Sequence, residues 1–150
     1  MMKVENERMG RMVLAVLMMG ASVAWAAPAG VMGNWATGDG SVVRIAPCGG
    51  EICLTVVKVS PKATESVDAL NPNASLRTRP LCGLRIGSGF KADGENAAAG
   101  GHLYDPKSGR TYSGKFEAKG DSLHLRGYVG ITLFGRSETW TRAGEVGACR

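Results

Sequence analysis

Aromatic side chains are scarce in this chain, 6% of 150 residues, and the arrangements that carry catalysis are scarcer. No Gly-x-Ser-x-Gly occurs, and neither His102 nor His124 has a triad-like neighbour in sequence, which removes the common acyl-transfer signatures. The two histidines are also far from every cysteine, and the Cys-x4-Cys spacing of Cys48 and Cys53 is loose for zinc, so no metal and no other cofactor is expected. The chain is read as a non-enzyme. It has no basic run or basic helix face, and its formal net charge of +5 fits solubility better than a nucleic-acid footprint. The longest apolar run, Met12 to Ala24, is about a dozen residues and contains Gly20 and Ser22, short of the roughly 20 that a membrane-crossing helix needs.

That run is instead the core of a leader. Lys3, Arg8 and Arg11 precede it and Ala24-Trp25-Ala26 follows it with small residues where a signal peptidase cuts. Residues 1–26 are therefore expected to be removed on export, leaving 27–150 as one domain in the periplasm or outside the cell, with no transmembrane segment. All four cysteines lie in that domain, and an even count in an oxidising compartment points to disulfides. Cys48 and Cys53 flank a glycine turn and are locally able to pair, leaving Cys82 with Cys149 or both free. Pairing Cys82 with a hairpin cysteine instead would close a longer loop, so the connectivity stays open.

The domain reads as short strands punctuated by glycine. Val42-Val43-Arg44-Ile45 and Ile52 to Val59 flank Gly49-Gly50 as a hairpin. Residues 60–82 break the rhythm, because Ser60-Pro61, Asn71-Pro72 and Arg79-Pro80 restrict the backbone, and a short helical turn is expected near Ala63 to Leu70. A strand follows over Leu84 to Phe90, then a loop from Lys91 to Gly100. Tyr112, Gly114, Phe116 and Ala118 alternate against Thr111, Ser113, Lys115 and Glu117, giving one dry and one wet face. Leu123, Leu125, Gly127 and Val129 do the same, and the alternation is expected to continue through Ile131 and Leu133. Trp35 opens the first strand and Trp140 stands in the last, a placement that suggests a closed barrel whose terminal strands meet. The Gly87-Ser88-Gly89 run matches part of a dinucleotide fingerprint, but no helix begins after it.

In combination, Gly33-Asn34-Trp35, Ile45-Ala46-Pro47-Cys48, Asn71-Pro72-Asn73, Leu76 to Leu84, Tyr104-Asp105-Pro106, Gly109-Arg110-Thr111-Tyr112, Leu125 to Tyr128 and Trp140-Thr141-Arg142 resemble domain-of-unknown-function family 2147, small exported bacterial proteins. The chain departs from that pattern at Leu54, where glycine is expected, and at Cys149, which lies beyond the family's usual end. The resemblance implies an all-β, single antiparallel barrel of about eight up-and-down strands, of calycin or lipocalin type, with one long excursion. It also implies that Trp35 plugs the closed end while Arg142 or Arg136 lies across its ring.

Two functions follow as expectations. The first is non-covalent binding of a small amphipathic or lipophilic ligand, with Tyr112, Phe116 and Tyr128 lining a cavity and Arg77, Arg79 or Arg126 orienting a polar group. The second is an interaction module for another envelope protein, with a filled barrel and the 60–82 excursion as contact surface. Less than about 300 Å³ of connected internal space would leave a drug-sized ligand no room.

Overall fold

The computed structural model describes residues 30–147 and Cys149; the leader expected over 1–26 lies outside them. Eight strands form where the β-branched and alternating runs stand between glycine turns: β1 (Gly33–Ala36), β2 (Val42–Cys48), β3 (Glu51–Lys58), β4 (Arg85–Ala92), β5 (Ala97–Asp105), β6 (Arg110–Lys119), β7 (Ser122–Tyr128) and β8 (Gly135–Ala143). Each pairs antiparallel with its chain neighbours, and β1 pairs with β8 with Trp35 opposite Arg142, so the sheet closes into a barrel. Closure leaves neither terminal strand as a free edge.

Alternation decides which side chains fill the bore. Gly114, Phe116 and Ala118 of β6 are buried while Lys115, Glu117 and Lys119 are exposed, and Leu123 and Leu125 of β7 face Phe116 and Ala118 from the next strand. The middle of the barrel is solid. A Cβ on the inward-facing Gly87, Gly101 or Gly114 would lie 2.8 Å from Leu54, 2.5 Å from Phe90 or 2.6 Å from Leu103, so these glycines are the spaces that the large side chains occupy. Phe116 packs on Phe90 with ring centroids 4.9 Å apart.

Three local expectations are corrected. Most of the loop expected over 91–100 is strand, because Ala98 sits opposite Phe116, and the fit of a small residue beside a large ring overrides alanine's poor strand propensity. The helical turn falls at Ala74–Leu76 rather than near Ala63 to Leu70; Asn73 caps it by accepting from Ser75 N. Residues 129–134 form a loop, not more strand: Phe134 N donates back to Ile131 O, and Val129 N to Phe134 O.

Both disulfides are formed, Cys48–Cys53 across the β2–β3 turn and Cys82–Cys149. The tail after β8 runs over the outside of the barrel, past Asn34 and Arg44, to reach Cys82 at the end of the excursion. Among the described residues no helix is long and apolar enough to cross a membrane.

Candidate functional site

The barrel has two unlike ends. One is formed by the segment before β1 and by the β2–β3, β4–β5 and β6–β7 turns; the other, the mouth, by the β1–β2, β5–β6 and β7–β8 connections and the excursion between β3 and β4.

The first end is sealed. Trp35 is fully buried and its indole N–H donates to Val31 O at 2.8 Å. The Arg142 guanidinium lies 4.2 Å from the Trp35 ring centroid and donates to Met32 O at 3.1 Å and Gly30 O at 2.7 Å. These bonds fold residues 30–32 across the bore as a lid. Asn34 stitches the seam beside it, accepting from Arg44 Nε at 3.0 Å and donating to Gly144 O at 3.0 Å.

At the mouth, the excursion between β3 and β4 is tied to the rim. Its anchor is Asp68, a fully buried carboxylate that accepts from Tyr104 Oη, from Asn71 Nδ2 at 2.8 Å and from Arg79 Nε at 2.8 Å. Burial opposes ionisation of Asp68, but the three donors outweigh it and hold the carboxyl below its ordinary value. Tyr104 is pushed up to about 12, by burial first and then by its bond to Asp68. Ser60 ties the other end of the excursion to the β1–β2 connection by donating to Asp39 O at 2.6 Å.

A strut crosses the opening. Lys107, on the β5–β6 turn, reaches Asp39 on the β1–β2 connection, with Nζ 2.8 Å from Oδ2. Burial would raise the Asp39 carboxyl, but the bonds from Lys107, Thr37 and Ser41 N depress it strongly. The same bond raises Lys107, helped by the nearby charge of Glu138. Beside the strut, on the β8 side, is a cleft of about 410 Å³ lined by Thr37, Gly38, Asp39, Lys107, Glu138 and Thr139. Glu138 alternates onto the inward face with Trp140, whose indole N–H donates to its Oε2 at 2.9 Å. A carboxylate with one donor behind it and a lysine nearby can bind a charged or hydrogen-bonding group, since it retains acceptor sites.

The side chains singled out from the sequence are dispersed. Arg77 donates to Asn71 O at 2.8 Å, and Arg79 is spent on Asp68 and lies over Tyr104, 5.7 Å from its ring centroid; together they hold the excursion. Arg126 points outward and donates to Thr132 O at 2.9 Å and to Ser137 Oγ at 2.9 Å. Phe116 is in the solid core, so the cavity-lining role expected of it has no space to act in. Tyr112 faces inward near the mouth, half-buried with Gly127 against it, whereas Tyr128 alternates outward. The sequence does not single out Asp39, Lys107 and Glu138 because their signal is spatial: they are 31 or more residues apart and come from two connections and a strand of unrelated pattern. Among the described residues no group of histidine, cysteine or acidic side chains is arranged to hold a metal.

A family model described as "uncharacterized protein conserved in bacteria (DUF2147)" matches residues 33–142, from the start of β1 to Arg142. The structure is similar to that of protein HP1028 from the human pathogen Helicobacter pylori, described as belonging to the lipocalin family. The TM-score is 0.70, with 22% identity over 78% of this chain and 85% of that one; likeness at that identity is one of fold. No curated protein matches the chain.

Proposed function

The chain belongs to DUF2147, an uncharacterised family conserved in bacteria, and on its lipocalin-like barrel we propose that it binds a small amphipathic molecule non-covalently at the mouth. The observation that carries this reading is the open cleft of about 410 Å³ beside the Lys107–Asp39 strut, where Glu138 retains acceptor sites. Because the core beneath is filled, the ligand lies in the upper bore and not along the whole axis. Glu138 and Lys107 meet its polar group, with Thr37 and Thr139 beside them in the cleft. The two disulfides fit an oxidising compartment, and with the leader read from residues 1–26 they support a cell-envelope or secreted location.

Native mass spectrometry of protein recovered from the exported fraction tests this. We expect extra mass that is released on unfolding and is reduced in Glu138→Gln protein, whose amide oxygen can still accept from Trp140 and so preserve the melting temperature. A clean apo mass, with no shift on adding fatty acids or other amphiphiles, would sink the reading. It would favour the alternative of an envelope protein-interaction module, which the solid core already suits.

A further inference from the structure

All six exposed large hydrophobic side chains among the described residues are at the mouth end, two on the excursion and four, Val129, Ile131, Leu133 and Phe134, on the β7–β8 loop, where they are 58–74% exposed. Four such side chains in one short loop are more than the scattered apolar residues of an ordinary surface. Half of the loop's backbone groups, including four of its six carbonyls, are also satisfied locally. Val129 N pairs with Phe134 O and Phe134 N with Ile131 O, each at 3.1 Å, while Arg126 donates to Thr132 O at 2.9 Å and Leu133 O at 3.3 Å. A segment entering lipid must meet its backbone hydrogen bonds without water, and this loop meets those four carbonyls and two amides before any contact.

Charge favours the same end. No acidic residue lies between Asp121 and Glu138. At the sealed end Arg44, Lys91, Lys119 and Arg142 each lie within ion-pair distance of a carboxylate, and Asp93 and Glu95 stand on the β4–β5 turn in addition. At the mouth, Asp39 and Asp68 are paired with Lys107 and Arg79; Glu65, Asp105 and Glu138 stand there too, but Lys62, Arg77, Arg110 and Arg136 have no carboxylate within ion-pair distance among the described residues, leaving a basic excess. The outward face of the barrel wall is polar, with Lys115, Glu117 and His124 exposed, so only the rim can enter an apolar phase.

We propose that the mouth end docks on an anionic bilayer surface, with the 129–134 loop entering the headgroup boundary and Arg110 and Arg136 meeting lipid phosphates. Shallow burial of apolar side chains beside cations is the interfacial mode of attachment, weak and reversible for a single loop. The inference stands whether or not the cleft holds a ligand.

The test uses processed protein from the exported fraction, mixed with phosphatidylcholine vesicles with or without roughly a third phosphatidylglycerol. Expected is co-flotation with the anionic vesicles, at least ~10-fold weaker on neutral ones and weakened by salt. The Leu133→Ser/Phe134→Ser protein should lose about tenfold in partitioning with its melting temperature kept, since both positions are exposed. In Phe134→Trp protein the new indole should shift its emission to the blue on anionic vesicles only. No flotation at low salt overturns the proposal, as does flotation that the loop substitutions leave unchanged. Concentration-dependent self-association without vesicle binding also overturns it, and would make the loop a contact between copies of this chain.

Discussion

At the sealed end of the barrel an indole and a guanidinium fill the bore, and the polar atoms they bring are bonded to the chain's own carbonyls. At the mouth the arrangement is reversed: polar residues bond one another across the opening, a carboxylate faces the cleft with capacity to spare, and large apolar side chains stand outside. The two ends share the same eight strands, but short turns join them at the sealed end, whereas the mouth carries the 59–84 excursion and the 129–134 loop. What also differs is whether the unsatisfied groups are turned inward and paired or left available. The sealed end should therefore govern stability, and the mouth should govern what the protein touches.

That division can be broken most directly at Trp35. Trp35→Ala should cost about 3 to 5 kcal/mol, read from the denaturant midpoint, because it empties a fully buried site and leaves Arg142 without its ring. If the loss matched that of a mouth substitution, the contrast between the ends would fail. Next in size is the tail staple. Cys82→Ser with Cys149→Ser should cost about 2 to 4 kcal/mol, and the Cys48/Cys53 pair less, because loop-closure entropy grows with the separation of the bonded residues, 67 against 5.

Tyr104→Phe should cost about 1 to 3 kcal/mol by leaving the buried Asp68 carboxylate one donor short. Its pH signature sharpens the test. Tyr104 is raised from 10.0 to about 12, so the stability it contributes is complete below 10 and is lost as the pH rises through about 12; the Phe variant should lack that alkaline step. Asp68 has the opposite sign, being depressed: its contribution is present above the ordinary carboxylate range and is lost as the pH falls through its lowered value. Lys107→Ala removes a largely exposed pair and should cost no more than about 1 kcal/mol, while altering ligand retention. Leu133→Ser should change stability by less than about 0.5 kcal/mol and, on the docking proposal, shift vesicle partitioning most.

The closed architecture was legible because its signals are local and repeated. Period-two alternation in β6 and β7, the glycine turn between the first cysteines, and tryptophans at both terminal strands each report one contact or one face. The ends were less legible, for different reasons. Val129 to Leu133 continues the alternation of β7, and period alone cannot show that Arg126 bonds the loop's carbonyls and turns it out of the sheet. Arg77 and Arg79 looked like a binding fork because their acceptors, the Asn71 carbonyl and Asp68, carry no pattern. Asp68 is one acid among thirteen Asp and Glu, and nothing in the sequence marks it as the buried one. Glu138 and Lys107 meet only when the sheet closes.

That closure also has a direction in time. The contacts that complete the seam join the beginning of the domain to its end: Arg142 bonds carbonyls 110 and 112 residues earlier, and Asn34 waits for Gly144 across the same span of 110. With only the earlier strands in place, β1 is paired on one edge by β2, while its other edge is open and Trp35 lacks the Arg142 guanidinium. Only β8 can give the first strand its second partner, and the covalent lock at Cys149 lies further along the chain still. A barrel built this way is closed by β8, so a chain lacking that strand would keep an unsealed and exposed edge.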